Sequence, residues 1–110
     1  MKLQVQRLAR TFERSLNAGD LEGCRAHYSA EFADRDTDLG PLIERTERCE
    51  LIGTVGNRTL FHLHLDDEDT RVVELLWLEL HGAWRIHDAR VFSLLPVSYT
   101  HLTLPTNREV

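Results

Sequence analysis

The most constraining stretch of this chain runs from Thr70 to Phe92: TRVVELLWLEL, a turn at His81-Gly82-Ala83, then WRIHDARVF. Both arms carry β-branched and aromatic residues with apolar side chains on both faces, and the glycine supplies the turn. An antiparallel ribbon this long and this apolar must be covered over most of its surface. It therefore predicts a strongly curved sheet folded over helices, and the helix-forming sequence lies upstream.

That upstream sequence has the period of helices. Val5, Leu8, Phe12 and Leu16 fall near one face of a helix over Leu3 to Leu16. Asn17-Ala18-Gly19 stops it, and Asp20 is a plausible N-cap for a second helix over Leu21 to Ala30, carrying Leu21, Cys24 and Tyr28. Glu31 to Asp38 is acidic and reads as a loop or one short strand. Pro41 fits the first turn of a third helix ending near Arg48. The period then changes to two. Cys49 to Val55 and Arg58 to Leu65 are strands joined at Gly56-Asn57, and Asp66 to Asp69 is an acidic turn before the hairpin. Three helices followed by four strands predict an α+β fold, with the helices on one face of an antiparallel sheet.

A chain of 110 residues is one domain with one core. Its net charge of -5 argues against binding nucleic acid, and its twelve arginines and single lysine are scattered rather than clustered. The longest apolar run is too short to span a bilayer, so no membrane partner is expected. Cys24 and Cys49 are not spaced as a metal pair, and no signal-peptide pattern opens the chain; two reduced thiols in a cytoplasmic protein are expected.

Residues 97–110 do not continue the preceding pattern. VSYTHLTLPTNREV resembles a translated transposase-type sequencing adapter. The codons GTC TCT TAT ACA CAT CTG ACG CTG CCG ACG encode Val97 to Thr106 without a gap. The expected domain is therefore residues 1–96, cut at about Pro96, followed by a non-native tail over 97–110. Tyr99 and His101 are set aside with that tail.

Two segments carry a family resemblance. FERSLNAGDLEGCRAHYSAEF (Phe12 to Phe32) resembles the helix, N-x-G-D corner, second helix and closing aromatic of the NTF2-like, or SnoaL-like, superfamily. LWLELHGAWRIHDARVF (Leu76 to Phe92) resembles that superfamily's late strand, glycine turn, W-R-I and final R-x-F. The resemblance implies a cone: a curved sheet closed by N-terminal helices. Many members have more strand sequence between the second and third helices, so this chain would be a compact version.

The hairpin sorts its side chains by face when it is paired across Gly82-Ala83. One face receives Val73, Leu75, Trp77 and Glu79, opposite Phe92, Arg90, Asp88 and Ile86, with Trp84 near the turn. The other receives Val72, Glu74, Leu76, Leu78 and Leu80, opposite Val91, Ala89, His87 and Arg85. The first face suits the wall of an apolar pocket with convergent polar groups, which makes Trp77, Glu79, Trp84 and Arg90 the candidate ligand-binding residues.

Asp88 is the candidate base. In cyclases and isomerases that the resemblance brings in, a pocket carboxylate removes a proton beside a carbonyl, and desolvation raises its proton affinity. The alternative for Asp88 is a surface pair with Arg90. Tyr28 is the candidate oxyanion donor, against an amphipathic core role. His62 is a candidate acid or orienting group. His62 and His64 form an H-x-H on one strand face, but spacing fixes no third ligand, so neither a metal nor any other cofactor is assigned. An apolar small-molecule ligand and a homodimer formed through the sheet are the expected partners. The functional expectation is an isomerase- or cyclase-type proton transfer on an apolar carbonyl compound, or else a non-catalytic ligand-binding or dimerisation module.

Overall fold

The structure, a computed structural model, describes residues 2–93, with side chains from residue 4 onward. The expectation for Val97–Val110 lies outside the described residues. The element order is α1 (Lys2–Asn17), α2 (Leu21–Arg25), α3 (Ala30–Arg35), α4 (Leu39–Arg45), β1 (Thr46–Val55), β2 (Arg58–Leu65), β3 (Thr70–Leu80) and β4 (Ala83–Phe92). The helices pack on one face of a curved four-stranded antiparallel sheet of order β1-β2-β3-β4. The α+β layout is as expected.

The helical region differs in detail from the sequence expectation. The second helix stops at Arg25, and Glu31 to Asp38 contributes to a further helix instead of a loop or strand. Ser29 is the reason: its hydroxyl accepts the Phe32 N–H at 3.0 Å and starts α3 as an N-cap. Upstream, Gly19 at φ +76° lets the Asp20 N–H reach back to the Ser15 carbonyl at 2.9 Å and close α1. Asp20 then caps α2 by accepting the Gly23 N–H at 3.0 Å. β1 begins at Thr46, three residues before the position expected.

The core lies between the apolar stripe of α1 and the inner face of the sheet. Val5, Ala9, Phe12 and Leu16 meet Phe61, Leu63, Leu75 and Trp77, all buried. Phe12 stacks on Phe61 with ring centroids 5.4 Å apart. A phenylalanine so buried contributes roughly 1.5–3 kcal/mol by leaving water. Side chains of α1 also bond the backbone of β1. Asn17 donates to the Cys49 carbonyl at 3.0 Å and accepts the Cys49 N–H at 2.7 Å, while Glu13 accepts the Leu51 N–H at 2.8 Å. At the opposite edge of the sheet, the segment before α3 runs beside β4. Ile86 donates to the His27 carbonyl at 2.7 Å, and Ser29 donates to the Ile86 carbonyl at 2.9 Å.

The hairpin closes on two residues, His81 and Gly82, with φ of 53° and 82°, the left-handed pair that suits the twist of a tight hairpin. Leu80 therefore pairs with Ala83, Glu79 with Trp84, and Trp77 with Ile86. Between Leu76 and Trp77 the register shifts, because Leu76 pairs with Asp88. His87 is the extra residue, and the bulge turns the rest of β4 over. Ala89 and Val91 now share a face with Leu75 and Val73, while Asp88, Arg90 and Phe92 share one with Leu76, Glu74 and Val72. This corrects the sequence assignment of faces from Asp88 onward.

Candidate functional site

The bulge separates the expected pocket wall into two groups. Trp77 is fully buried on the helix side, and its indole N–H donates to the Thr59 hydroxyl at 2.9 Å. The His27 ring stands edge-on to it at 5.7 Å, and the Phe12 ring lies 6.0 Å from the same imidazole. Protein side chains thus occupy the space beside Trp77. Trp84 is half-buried and donates to the Gln4 side chain at 3.0 Å, with Glu79, its cross-strand partner, exposed.

Asp88 does not join them. Its side chain is 56% exposed, on the face away from Trp77, with Arg35 at 3.9 Å. Arg90 shares that outer face, opposite Glu74. The expected closed cavity containing both Asp88 and Trp77 is not formed, because one unpaired residue at His87 reverses the alternation.

Tyr28 packs edge-on against Phe32 with centroids 4.8 Å apart, and its hydroxyl is buried without a hydrogen-bond partner among the described residues. Burial, reinforced by the negative charge of Asp36, pushes its pKa well above the ordinary phenol value. One face of Tyr28 lines a groove of about 470 Å³ where the turn before α3 meets the β3–β4 turn. Ala30, Leu80 and Ala83 are its apolar lining residues; His81, Arg85 and Glu31 are polar ones. Arg85 is anchored by donating to the Ala26 carbonyl at 3.1 Å, and the Glu31 side chain stands 80% exposed at the rim. A smaller recess of about 350 Å³ lies on the other side of the same turn, between Trp84 and α1.

Tyr28 is a candidate from the sequence; the other groove residues escaped the sequence reading because they converge only through the Tyr28–Ile86 bridge, which no local pattern encodes. His27 escaped it too. It lies half-buried between Phe12 and Trp77, and burial, aided by Arg85, lowers its pKa below 6.5.

His62 lies on the outer face of β2 opposite Glu50, with His64 beside it. Burial, then the neighbouring His64, lowers the pKa of His62. The thiols of Cys24 and Cys49 are buried and unpaired, and burial raises that of Cys24 to about 11. No described helix is long and apolar enough to cross a membrane.

The chain matches no protein-family model, and no curated protein matches it. The site must therefore be read from its own chemistry.

Proposed function

We propose that this domain binds an apolar small molecule without transforming it, as a compact NTF2-like module working in the cytoplasm. The observation that carries this reading is the groove between Tyr28–Glu31 and the β3–β4 turn. Its apolar lining residues Leu80, Ala30 and Ala83 can take apolar area from a ligand, and Arg85 and His81 offer donors to a carbonyl or carboxylate. The proton-transfer reading has no desolvated carboxylate at Asp88 or in the groove among the described residues. Asp88 is solvated on the opposite face from Trp77, and Glu31 is solvated at the groove rim. The helix–corner–helix sequence through Gly19-Asp20, followed by the late W-R-I hairpin, supports the family reading.

A titration with cyclic ketones and the matching carboxylic acids, followed by amide NMR, tests the proposal. Shifts should concentrate at Ala30, Leu80 and Ala83 and disappear in Ala30→Trp, which fills the groove. Shifts elsewhere, or binding that survives Ala30→Trp, would refute it. Deuterium uptake beside the ketone carbonyl that is lost in Asp88→Asn would restore the enzymatic reading.

A second reading rests on the outer face of the sheet, with a second copy of this chain as the occupant. Leu76 and Leu78 are half-buried there and can contribute area to a contact, beside Leu60 and Val72, which the chain itself already buries. The same face carries Arg58 and Arg90 with Glu74, and Asp88 beside Leu76. A two-fold contact can bring such a mixed face onto itself with opposite charges meeting. Sedimentation should show a dimer that Leu76→Glu converts to monomer; a wild-type monomer at the highest soluble concentration would rule this out.

A further inference from the structure

The outer face of the sheet holds a cluster that neither reading uses. β2 is an interior strand, so the two histidines two residues apart, His62 and His64, project from a backbone fixed on both sides. Their rings lie 4.5 Å apart. Glu50 on β1 is the cross-strand partner of His62. Its Oε1 lies 3.4 Å from His64 Nε2 and 3.9 Å from His62 Nδ1. One ligand atom from each of the three residues falls within 4.8 Å of the others.

We infer that Glu50, His62 and His64 form a three-ligand site for a divalent transition metal of the zinc class. The argument is geometric and chemical. Bonds of about 2.0–2.2 Å to nitrogen and oxygen place adjacent ligands of a tetrahedral ion roughly 3.3–3.5 Å apart. The His64–Glu50 separation already has that value, His62 is a few tenths of an ångström too far from Glu50, and the two imidazole nitrogens, within 4.8 Å of each other, close by up to about 1.5 Å through side-chain rotation. Two imidazoles and one carboxylate select zinc, cobalt, nickel or copper over calcium or magnesium, which require mostly oxygen donors. All three side chains are partly exposed, so an ion can enter from solvent and keep a fourth position for water or an incoming donor.

Arg48 opposes the ion. Its guanidinium donates to His64 Nε2 at 3.1 Å, taking the lone pair that a metal would use, and forms an ion pair at 3.6 Å with Glu50 Oε2, the carboxylate oxygen that does not face the histidines. Its own side chain is 58% exposed, so it can swing into water when a metal binds. The site is therefore gated by an internal cation, and affinity should rise when that cation is removed. The cluster lies in the row of Glu50, His62, Val72 and Phe92, two residues along β3 from the row of Glu74 and four from that of Leu76. Val72 borders both the cluster and the proposed dimer face, but Leu76→Glu leaves all three ligands in place, so metal binding can be measured in that monomeric variant.

The experiment uses the untagged chain, with Zn²⁺ in isothermal titration calorimetry and Co²⁺ in visible absorption. One equivalent per chain is expected, with the intense d–d bands of tetrahedral cobalt. His62→Ala and His64→Ala should abolish it, Glu50→Gln should weaken it about tenfold or more, and Arg48→Ala should tighten it. Thermal melting without metal checks that each variant folds. Absence of wild-type binding overturns the proposal. So does wild-type affinity in Glu50→Gln, which would reduce the cluster to a surface histidine pair. Weaker binding in Arg48→Ala would overturn the gating by Arg48.

Discussion

Thr59 and Trp77 share the most deeply buried side-chain hydrogen bond of the sheet, 2.9 Å from indole nitrogen to hydroxyl oxygen. Thr59 is 1% exposed and Trp77 0%. Replacing the threonine by valine keeps the volume and strands the indole N–H. Thr59→Val should cost about 1–3 kcal/mol. Urea unfolding should show a lower midpoint with an unchanged slope; an unaltered midpoint would mean that the bond contributes nothing net.

Asn17 joins α1 to β1 through two hydrogen bonds to one residue, Cys49. Asn17→Ala leaves a part-buried backbone donor and acceptor unmet, at a cost of about 1–3 kcal/mol. Amide exchange should quicken first at Cys49 and Leu51, whose N–H groups bond to α1 side chains. Uniform acceleration across all four strands would contradict this local assignment.

Asp88→Asn should change stability by about 0.5 kcal/mol or less, since an exposed ion pair such as Arg35–Asp88 is weak. It should also leave ligand shifts in the groove unaltered. A large change in either would relocate the functional centre to the outer face.

Acidification should destabilise the fold through His27. Its folded pKa lies below the ordinary 6.5 because burial, and then Arg85, disfavour the imidazolium. The unfolded chain then binds more protons than the folded one between the two values, so stability falls as the pH drops below about 6.5. Above that pH the term is absent. Denaturation midpoints measured from pH 7.5 to pH 5 should fall less steeply in His27→Gln than in the wild type; parallel curves would remove His27 as the cause.

Much of this fold was legible in the sequence where the signal was local. The α1 stripe of Val5, Phe12 and Leu16, the bounds of β2, and both arms of the hairpin follow from period and turn chemistry. The sites were less legible because they depend on bulges. Counting back from Val55↔Arg58 would set His62 opposite Leu51, but the extra residue Ile52 slides Glu50 into that place. The His87 bulge likewise removes Asp88 from Trp77. A bulge is stabilised by what packs around it. Here Ser29 lies 3.3 Å from His87 Nδ1, and Arg35 donates to the His87 carbonyl. Contacts across more than fifty residues of sequence leave no mark on local alternation.

The bonds that Asn17 and Glu13 make to β1, and those that His27 and Ser29 make to β4, have a shared consequence. An outer strand normally offers a row of unmet amides to any passing strand, the template from which fibres and strand-swapped aggregates grow. At Cys49 and Leu51 on one border, and at Ile86 on the other, that template is already occupied by the protein's own chain. This sheet is closed there to lateral growth.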